Sequence, residues 1–267
     1  MGANGLARGW GYWGVAVWAA FAAPAQAQSL HADYTISLIG VPVGVADITA
    51  TFSGEKYTME VHARLSGVAA LVADWRTSST ASGVLAAGRV SPSTNATTSS
   101  TKEMTRTIRM ALQSNAVQAV DITPAFEMKP DVVPVTPKDE QGVVDPVGAL
   151  LMPAAVGPDV DAAAACERTL PVFDGATRFD VALSYVGERK VKAKGYSGPV
   201  AICAMRYTPL AGFRRERANT KFWTENKDME VWLAPIGALH ALVPFRASIR
   251  TPVGTAVMEA TEFRVDK

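Results

Sequence analysis

Strict apolar–polar alternation limits what this chain can become more than any other feature. Tyr57, Met59, Val61, Ala63 and Leu65 alternate with Thr58, Glu60, His62 and Arg64. Successive side chains of a strand point to opposite faces, so this run reads as a strand with one face buried. The same period places Tyr34, Ile36 and Leu38 opposite Asp33, Thr35 and Ser37. It returns at Ile48–Phe52, Thr105–Leu112, Phe179–Leu183 and Val200–Ala204. Ser53-Gly54-Glu55-Lys56 between two such runs is a hairpin turn signal. The pattern predicts an all-β fold of about a dozen strands, mostly antiparallel, with one or two short helices. Residues 28–267 read as one domain.

Two segments read as short helices. One spans Val68–Asp74. The other starts at Asp145 as N-cap with Pro146 in the first helical position, and stops before Pro153. Both are apolar nearly all round, which suits ordinary core packing as well as the lining of a groove or the end of a barrel. Pro124, Pro130, Pro134 and Pro137 exclude a central strand there and predict a long loop or a connection across the sheet. Pro42–Thr51 and Pro252–Thr261 agree at six of ten positions, a short internal echo with no longer repeat around it.

Residues 1–27 read as an address. Arg8 precedes an apolar run from Trp10 to Pro24, which ends at Ala25-Gln26-Ala27, a small-x-small pattern. This predicts a secretory signal peptide cleaved after Ala27, with no lipidation because no cysteine follows. No second apolar run is long enough to span a bilayer, so the chain is not expected to be an integral membrane protein after cleavage. Export makes the two cysteines, Cys166 and Cys203, read as one disulfide. Closing the loop of 37 residues between them stabilises the fold by about 4 kcal/mol in the chain-entropy picture.

The 26 basic and 25 acidic residues nearly cancel, which argues against a nucleic-acid binder. Locally they do not cancel. Asp121–Asp161 carries eight acids and two lysines, whereas Glu188–Lys221 carries nine bases and two acids. These segments either face each other or leave the basic one free for an anionic surface.

Catalytic patterns are missing. There is no Gly-x-Ser-x-Gly elbow, no His-Glu-x-x-His and no phosphate loop. His31 lies at the start of the mature chain and His62 on a polar strand face. His240, between Leu239 and Ala241, is the best single candidate for a functional histidine, but its apolar context suits an ordinary core or rim histidine better, since nothing beside it completes a catalytic pair. No metal or cofactor is expected.

The second half carries the most distinctive motifs. Cys166 is followed by Thr169-Leu-Pro-Val-Phe-Asp-Gly175 and Arg178-Phe-Asp180, then by Gly198-Pro-Val-Ala-Ile-Cys203 and Arg206-Tyr-Thr-Pro-Leu-Ala-Gly212. With Tyr34, Gly40–Ala46 and Asp145-Pro146, these motifs resemble the bacterial envelope family known as domain of unknown function 3108. The resemblance implies a periplasmic protein with a strongly curved open or spiral β-barrel, and it brings no catalytic residues. Asp174-Gly175 suits a tight turn, with Phe173 and Phe179 as core anchors and Arg178 paired to Asp174 or Asp180.

Together these readings predict a non-enzymatic periplasmic protein that binds a lipid or a hydrophobic protein segment in a curved-sheet groove. Leu71, Trp75, Leu150 and Leu151 would line the hollow, with Trp223 and Trp232 at its rim. Trp223 and Trp232 suit a core position as well. Two other classes stay open: a hydrolase or transferase acting on envelope glycan or lipid, and a purely structural partner.

Overall fold

The computed structural model describes residues 27–86, 88–127, 129–154, 161–236 and 240–266. The signal-peptide expectation falls on residues that, Ala27 apart, lie outside these. Among the described residues, fourteen strands make one sheet. They are β1 (Gln28–Leu38), β2 (Val41–Ser53), β3 (Lys56–Leu65), β4 (Trp75–Ala86), β5 (Arg89–Thr101), β6 (Thr105–Gln113) and β7 (Ala116–Thr123). The rest are β8 (Met152–Pro153), β9 (Arg168–Phe173), β10 (Arg178–Ala193), β11 (Tyr196–Ala211), β12 (Met229–Pro235), β13 (Ala241–Thr251) and β14 (Gly254–Asp266). The order is β7-β6-β5-β4-β3-β2-β1-β14-β13-β12-β11-β10-β9, with β8 paired to β13, and every named strand pair is antiparallel. The all-β expectation therefore holds.

The first and last strands meet at the centre, because β1 lies between β2 and β14. The echoed segments Pro42–Thr51 and Pro252–Thr261 thus flank the same strand. Bulges at Ile36/Ser37, Ser82/Gly83, Tyr185/Gly187 and Trp232/Leu233 add the local bend that curls a sheet. The β10–β11 hairpin curls far enough to reach β14. Lys194 N–H donates to the Thr261 carbonyl, Phe263 N–H donates to the Lys194 carbonyl, and the Lys194 ammonium sits 2.8 Å from Glu262.

The proline-rich segment is the seam. Segment 140–144 is held to β7 by Val117 N–H donating to Glu140 and by Val143 N–H donating to Asn115. Its other side is held to β9 through Val144 N–H to Pro171 and Phe173 N–H to Val144. Farther up, Val132 and Val133 bridge to residues 212–214, and Asp131 pairs with Arg214 at 2.9 Å. Here the acidic segment meets the basic one. The strand ladder stays open while an irregular strip closes the gap, satisfying edge groups of both end strands.

Helices are short, as expected, but differently placed. The Val68–Asp74 helix is a single turn, α1 (Ala69–Val72), and it stands outside the core: Leu71 is 80% and Val72 82% exposed. The helix expected from Asp145 shrinks to one 3-10 turn at Gly148–Leu150, because the Asp145 side chain is drawn inward and Pro153 already belongs to β8. Two helices went unforeseen. In α2 (Ala162–Cys166), Asp161 caps the N-terminus by accepting from Ala164 N–H, and α3 (Ala218–Glu225) joins β11 to β12. Four consecutive alanines have high helix propensity, but a single turn is decided by tertiary contact.

The disulfide joins Cys166 of α2 to Cys203 of β11. It pins α2 on one face of the β10–β13 wing, where Cys166, Cys203, Leu183, Val231, Leu233 and Met152 pack together. The other face of that wing joins the main core through Val200, Trp232, Val243 and Phe245. β12 is accordingly buried on both sides and reads as an apolar run rather than an alternation. Asp174 accepts from Ala176 N–H and Thr177 N–H, and Gly175 takes a φ of 96° that glycine alone adopts easily. Arg178 pairs with Asp180 at 2.6 Å. Phe173 is a core residue, but Phe179 is only half-buried and lies against Tyr207, with ring centroids 5.2 Å apart.

Candidate functional site

On five of the strands, burial along the inner face falls toward one end of the curl. On β1, Leu30, Ala32 and Tyr34 are buried, and Ile36 is half-buried. On β3, Tyr57 and Met59 are buried, whereas Val61, Ala63 and Leu65 are half-buried. The sequence Ala81, Ser79, Thr77 on β4 runs the same way, as do Asn95, Thr97, Ser99 on β5 and Ala260, Met258 on β14. On these five strands the inner face is buried toward one end and half-buried toward the other, more open end, where Ile36, Val61, Ala63 and Met258 still pack against the edge of the core, and β2 between them stays buried through Gly44. One wall of the opening is aliphatic: Ile36, Val61, Ala63, Leu65 and Met258. Beside it on the same face of the sheet, the wall turns hydroxylated on β4 and β5, with Thr77 bonded to Ser99 at 3.0 Å and Ser79 to Thr97 at 2.9 Å. These hydroxyls satisfy one another across the strands.

A buried polar node sets the floor of this opening. Asp145 is fully buried. Its Oδ1 accepts from Asn95 Nδ2 and from the backbone N–H groups of Val147 and Gly148, each at 3.0 Å. Its Oδ2 and the Tyr57 hydroxyl are both buried with no partner. A Cβ on Gly148 would lie 2.6 Å from Asp145 Oδ2 and 3.0 Å from the Tyr57 hydroxyl, so the two groups converge on the same point and glycine is required there. Burial pushes the Asp145 carboxyl above the ordinary carboxylate range, against its three N–H donors. Burial also raises Tyr57, with the Asp145 charge adding to the effect. Tyr34, raised by burial, donates to the Pro244 carbonyl at 2.7 Å. Below the node, Tyr196, Phe245 and Phe263 pack with centroids 5.4–5.9 Å apart.

The expected lining residues do not converge. Leu71 and Trp75 sit at the open end, on the α1 loop and the first residue of β4, and both face solvent. Leu151 is part of the packed core, with Leu150 half-buried beside it, so neither lines a free hollow. Trp223 is half-buried on α3, edge-on to Phe222 at 5.5 Å. Trp232 is a core residue of β12, its indole N–H bonded to Glu230 and its ring stacked under Arg246 at 4.6 Å and Arg189 at 5.1 Å. The two tryptophans thus lie on different elements, α3 and β12, and serve different packing.

The histidines stay apart. His31 is 3.4 Å from Asp33, and His62 is exposed on the outer face, 3.8 Å from Glu60. His240 is half-buried in a left-handed conformation with φ 47°, and its carbonyl accepts from Ala154 N–H. Among the described residues, no cluster of three His, Cys, Asp or Glu side chains could hold a metal ion. A cleft of about 260 Å³ is lined mainly by outward residues of β2–β5, among them Asp47, His62, Arg64 and Ser78, together with Ala63 and Thr77.

Sequence reasoning missed the hydroxyl wall and the buried node. Thr77-Ser78-Ser79-Thr80 and Thr97-Thr98-Ser99-Ser100-Thr101 carried a readable signal, since strands polar on both faces cannot border a filled core. The burial of Asp145 had no such signal, because an N-cap aspartate is ordinarily exposed.

These observations define a class: a single antiparallel sheet curled into an open barrel, filled at one end and more open at the other. The chain belongs to the family described as protein of unknown function (DUF3108), whose pattern matches residues 33–261. No curated protein matches it. Among solved structures it is similar to a beta-barrel-like protein of domain of unknown function DUF1849 from Brucella abortus, with 9% identity and a TM-score of 0.46 over 90% of this chain and 98% of that one. Among the described residues, no helix is long and apolar enough to cross a membrane.

Proposed function

We propose that this is a non-enzymatic protein of the bacterial periplasm, exported by residues 1–27, that holds a lipid acyl chain or an apolar protein segment in the open end of its curled sheet. The observation that carries the reading is the shared fall in inner-face burial on β1, β3, β4, β5 and β14, which leaves Ile36, Val61, Ala63, Leu65 and Met258 half-buried next to the hydroxyl residues of β4 and β5. An apolar chain laid there removes surface from water at about 25 cal/mol per Å² and needs no charged partner. The leader pattern and the Cys166–Cys203 bridge support an oxidising compartment beyond the inner membrane.

The test is native mass spectrometry of protein purified from periplasmic extract, with titration of a fluorescent fatty acid. Bound lipid and an N-terminus at Gln28 are the expected results. Ala63→Arg, which places a charge in the opening, should abolish fatty-acid binding without unfolding the core below. Equal fatty-acid binding by wild type and Ala63→Arg, or no binding at all, would remove the proposal.

A further inference from the structure

Exposed apolar side chains are not scattered over the molecule. Twelve large ones are exposed among the described residues, and ten of them lie on the rim of the open end. Ile39 caps the β1–β2 turn, Val253 the β13–β14 turn, and Val68, Leu71, Val72 and Trp75 stand along the α1 loop. These tips touch in series. Ile39 N–H donates to Thr255, Ile39 covers Gly254, Ser66 N–H donates to Val43, and Trp75 pairs with Thr101. They form a continuous ridge of hairpin tips rather than a groove. A soluble monomer seldom keeps such a contiguous apolar edge without a partner.

The charge around the ridge names the partner. Rim segments 64–76, 101–106, 123–131, 206–228 and 250–254 carry twelve Lys and Arg against seven Asp and Glu. Arg64 and Arg76 stand directly behind the α1 loop, on paired positions of β3 and β4. Short apolar tips backed by basic side chains match an interface of acyl chains beneath anionic headgroups, where the tips enter and the cations stay at headgroup level. A groove for a peptide or a flat self-complementary face would instead call for a concave or planar apolar surface.

We propose that the ridge formed by the β1–β2 turn, the α1 loop and the β13–β14 turn docks this protein on an anionic phospholipid surface, with the open end of the sheet facing the bilayer. The orientation rests on the reading of that end as a binding site, and it gives an apolar guest a path that avoids water. Docking itself needs only the ridge.

The test is co-sedimentation of the purified protein, its N-terminus established by mass spectrometry, with vesicles of phosphatidylglycerol and phosphatidylethanolamine. Vesicles of phosphatidylcholine serve as the comparison. Binding should favour the anionic vesicles and weaken as salt rises. The double variant Leu71→Glu/Val72→Glu should lower vesicle affinity at least tenfold with an unchanged circular dichroism spectrum. Val253→Glu, on the other side of the ridge, should act in the same direction and serves if the double variant misfolds. Equal affinity of wild type and both variants would overturn the docking, as would indifference to lipid charge. A concentration-dependent dimer abolished by the same substitutions would assign the ridge to self-association and overturn it too. Lost vesicle binding with retained fatty-acid binding separates this surface from the opening itself, so each proposal can fail alone.

Discussion

The β2–β6 wing and the β10–β13 wing belong to one sheet, yet they are built on different rules. In the first, β3 alternates strictly, with Tyr57 and Met59 inward and Lys56, Thr58 and Glu60 outward. One face meets the core and the other meets water. In the second, β12 is buried at Met229 and from Val231 through Ala234, because α2 and β8 cover the face that does not join the main core. The first wing is one layer thick and keeps an open end; the second is a two-layer structure tied by a disulfide. A strand with a single cover can afford polar residues and a gap, whereas a doubly covered strand tolerates neither.

The contrast predicts an uneven response to substitution. Leu233→Ala, between the two layers, should cost about 2–5 kcal/mol, as large-to-small changes at closed core positions do. Removing the bridge by Cys166→Ala/Cys203→Ala should cost about 2–4 kcal/mol, and hydrogen exchange should show protection lost first in β10, β11 and α2. Equal loss in β3–β5 would break the picture of two separately held wings. Denaturant titration measures both magnitudes.

A middle-sized effect belongs to the node that joins the seam to β5. Asp145→Ala leaves Asn95 and two backbone N–H groups without their acceptor, and should cost about 1–3 kcal/mol. Asp145→Asn keeps an Oδ1 acceptor and sets an N–H donor toward the orphaned Tyr57 hydroxyl, so it should be neutral or stabilising by about 1 kcal/mol at neutral pH.

The same pair of proteins gives a pH signature. Burial raises the folded carboxyl above its ordinary value of 3.8, so the folded state binds the proton more tightly than the unfolded chain. That contribution is fully present below 3.8 and is lost as pH rises through the folded value. Wild type should therefore lose stability relative to Asp145→Asn as pH climbs from 3.8 toward neutrality. Asp174, raised in the same direction by burial, is common to both proteins and cancels in the difference. A pH-independent difference would show that Asp145 does not change its ionisation on folding.

The smallest effects belong to the open end. Ser79→Ala and Thr97→Val together replace a hydrogen-bonded hydroxyl pair by apolar side chains of equal or slightly smaller size, and should change stability by less than about 1 kcal/mol. Their consequence should appear in the affinity for a fatty acid, which rises if this wall borders an apolar guest. Unchanged affinity with unchanged stability would show that the hydroxyl wall is simply a solvated face.

Much of this was legible in the residues. Strand after strand follows from alternation, because a period of two has one meaning when one face is buried. The bridge was expected from two cysteines behind a leader-like pattern, and the Ser53–Lys56 and Asp174–Gly175 turns follow from residues that accept their backbone geometry. What sequence could not supply was placement. Leu71 and Leu151 are equally apolar in equally short helical signals, yet one stands in solvent and the other in the core. Local composition says that such a residue prefers burial but not which surface is present to bury it. Asp145 reads as a helix cap; its carboxyl does accept from Val147 and Gly148 N–H, but the turn itself starts later, at Val147, and only the return of the proline-rich strip across the seam takes Asp145 to Asn95 and Tyr57. The curl, its open end and the ridge around it arise from how fourteen strands bend together, and contacts between β1 and β14, more than two hundred residues apart in sequence, have no local signature. Periodicity is a property of neighbouring residues and is written in the chain. Closure is a property of the whole sheet, and only the tertiary structure decides it.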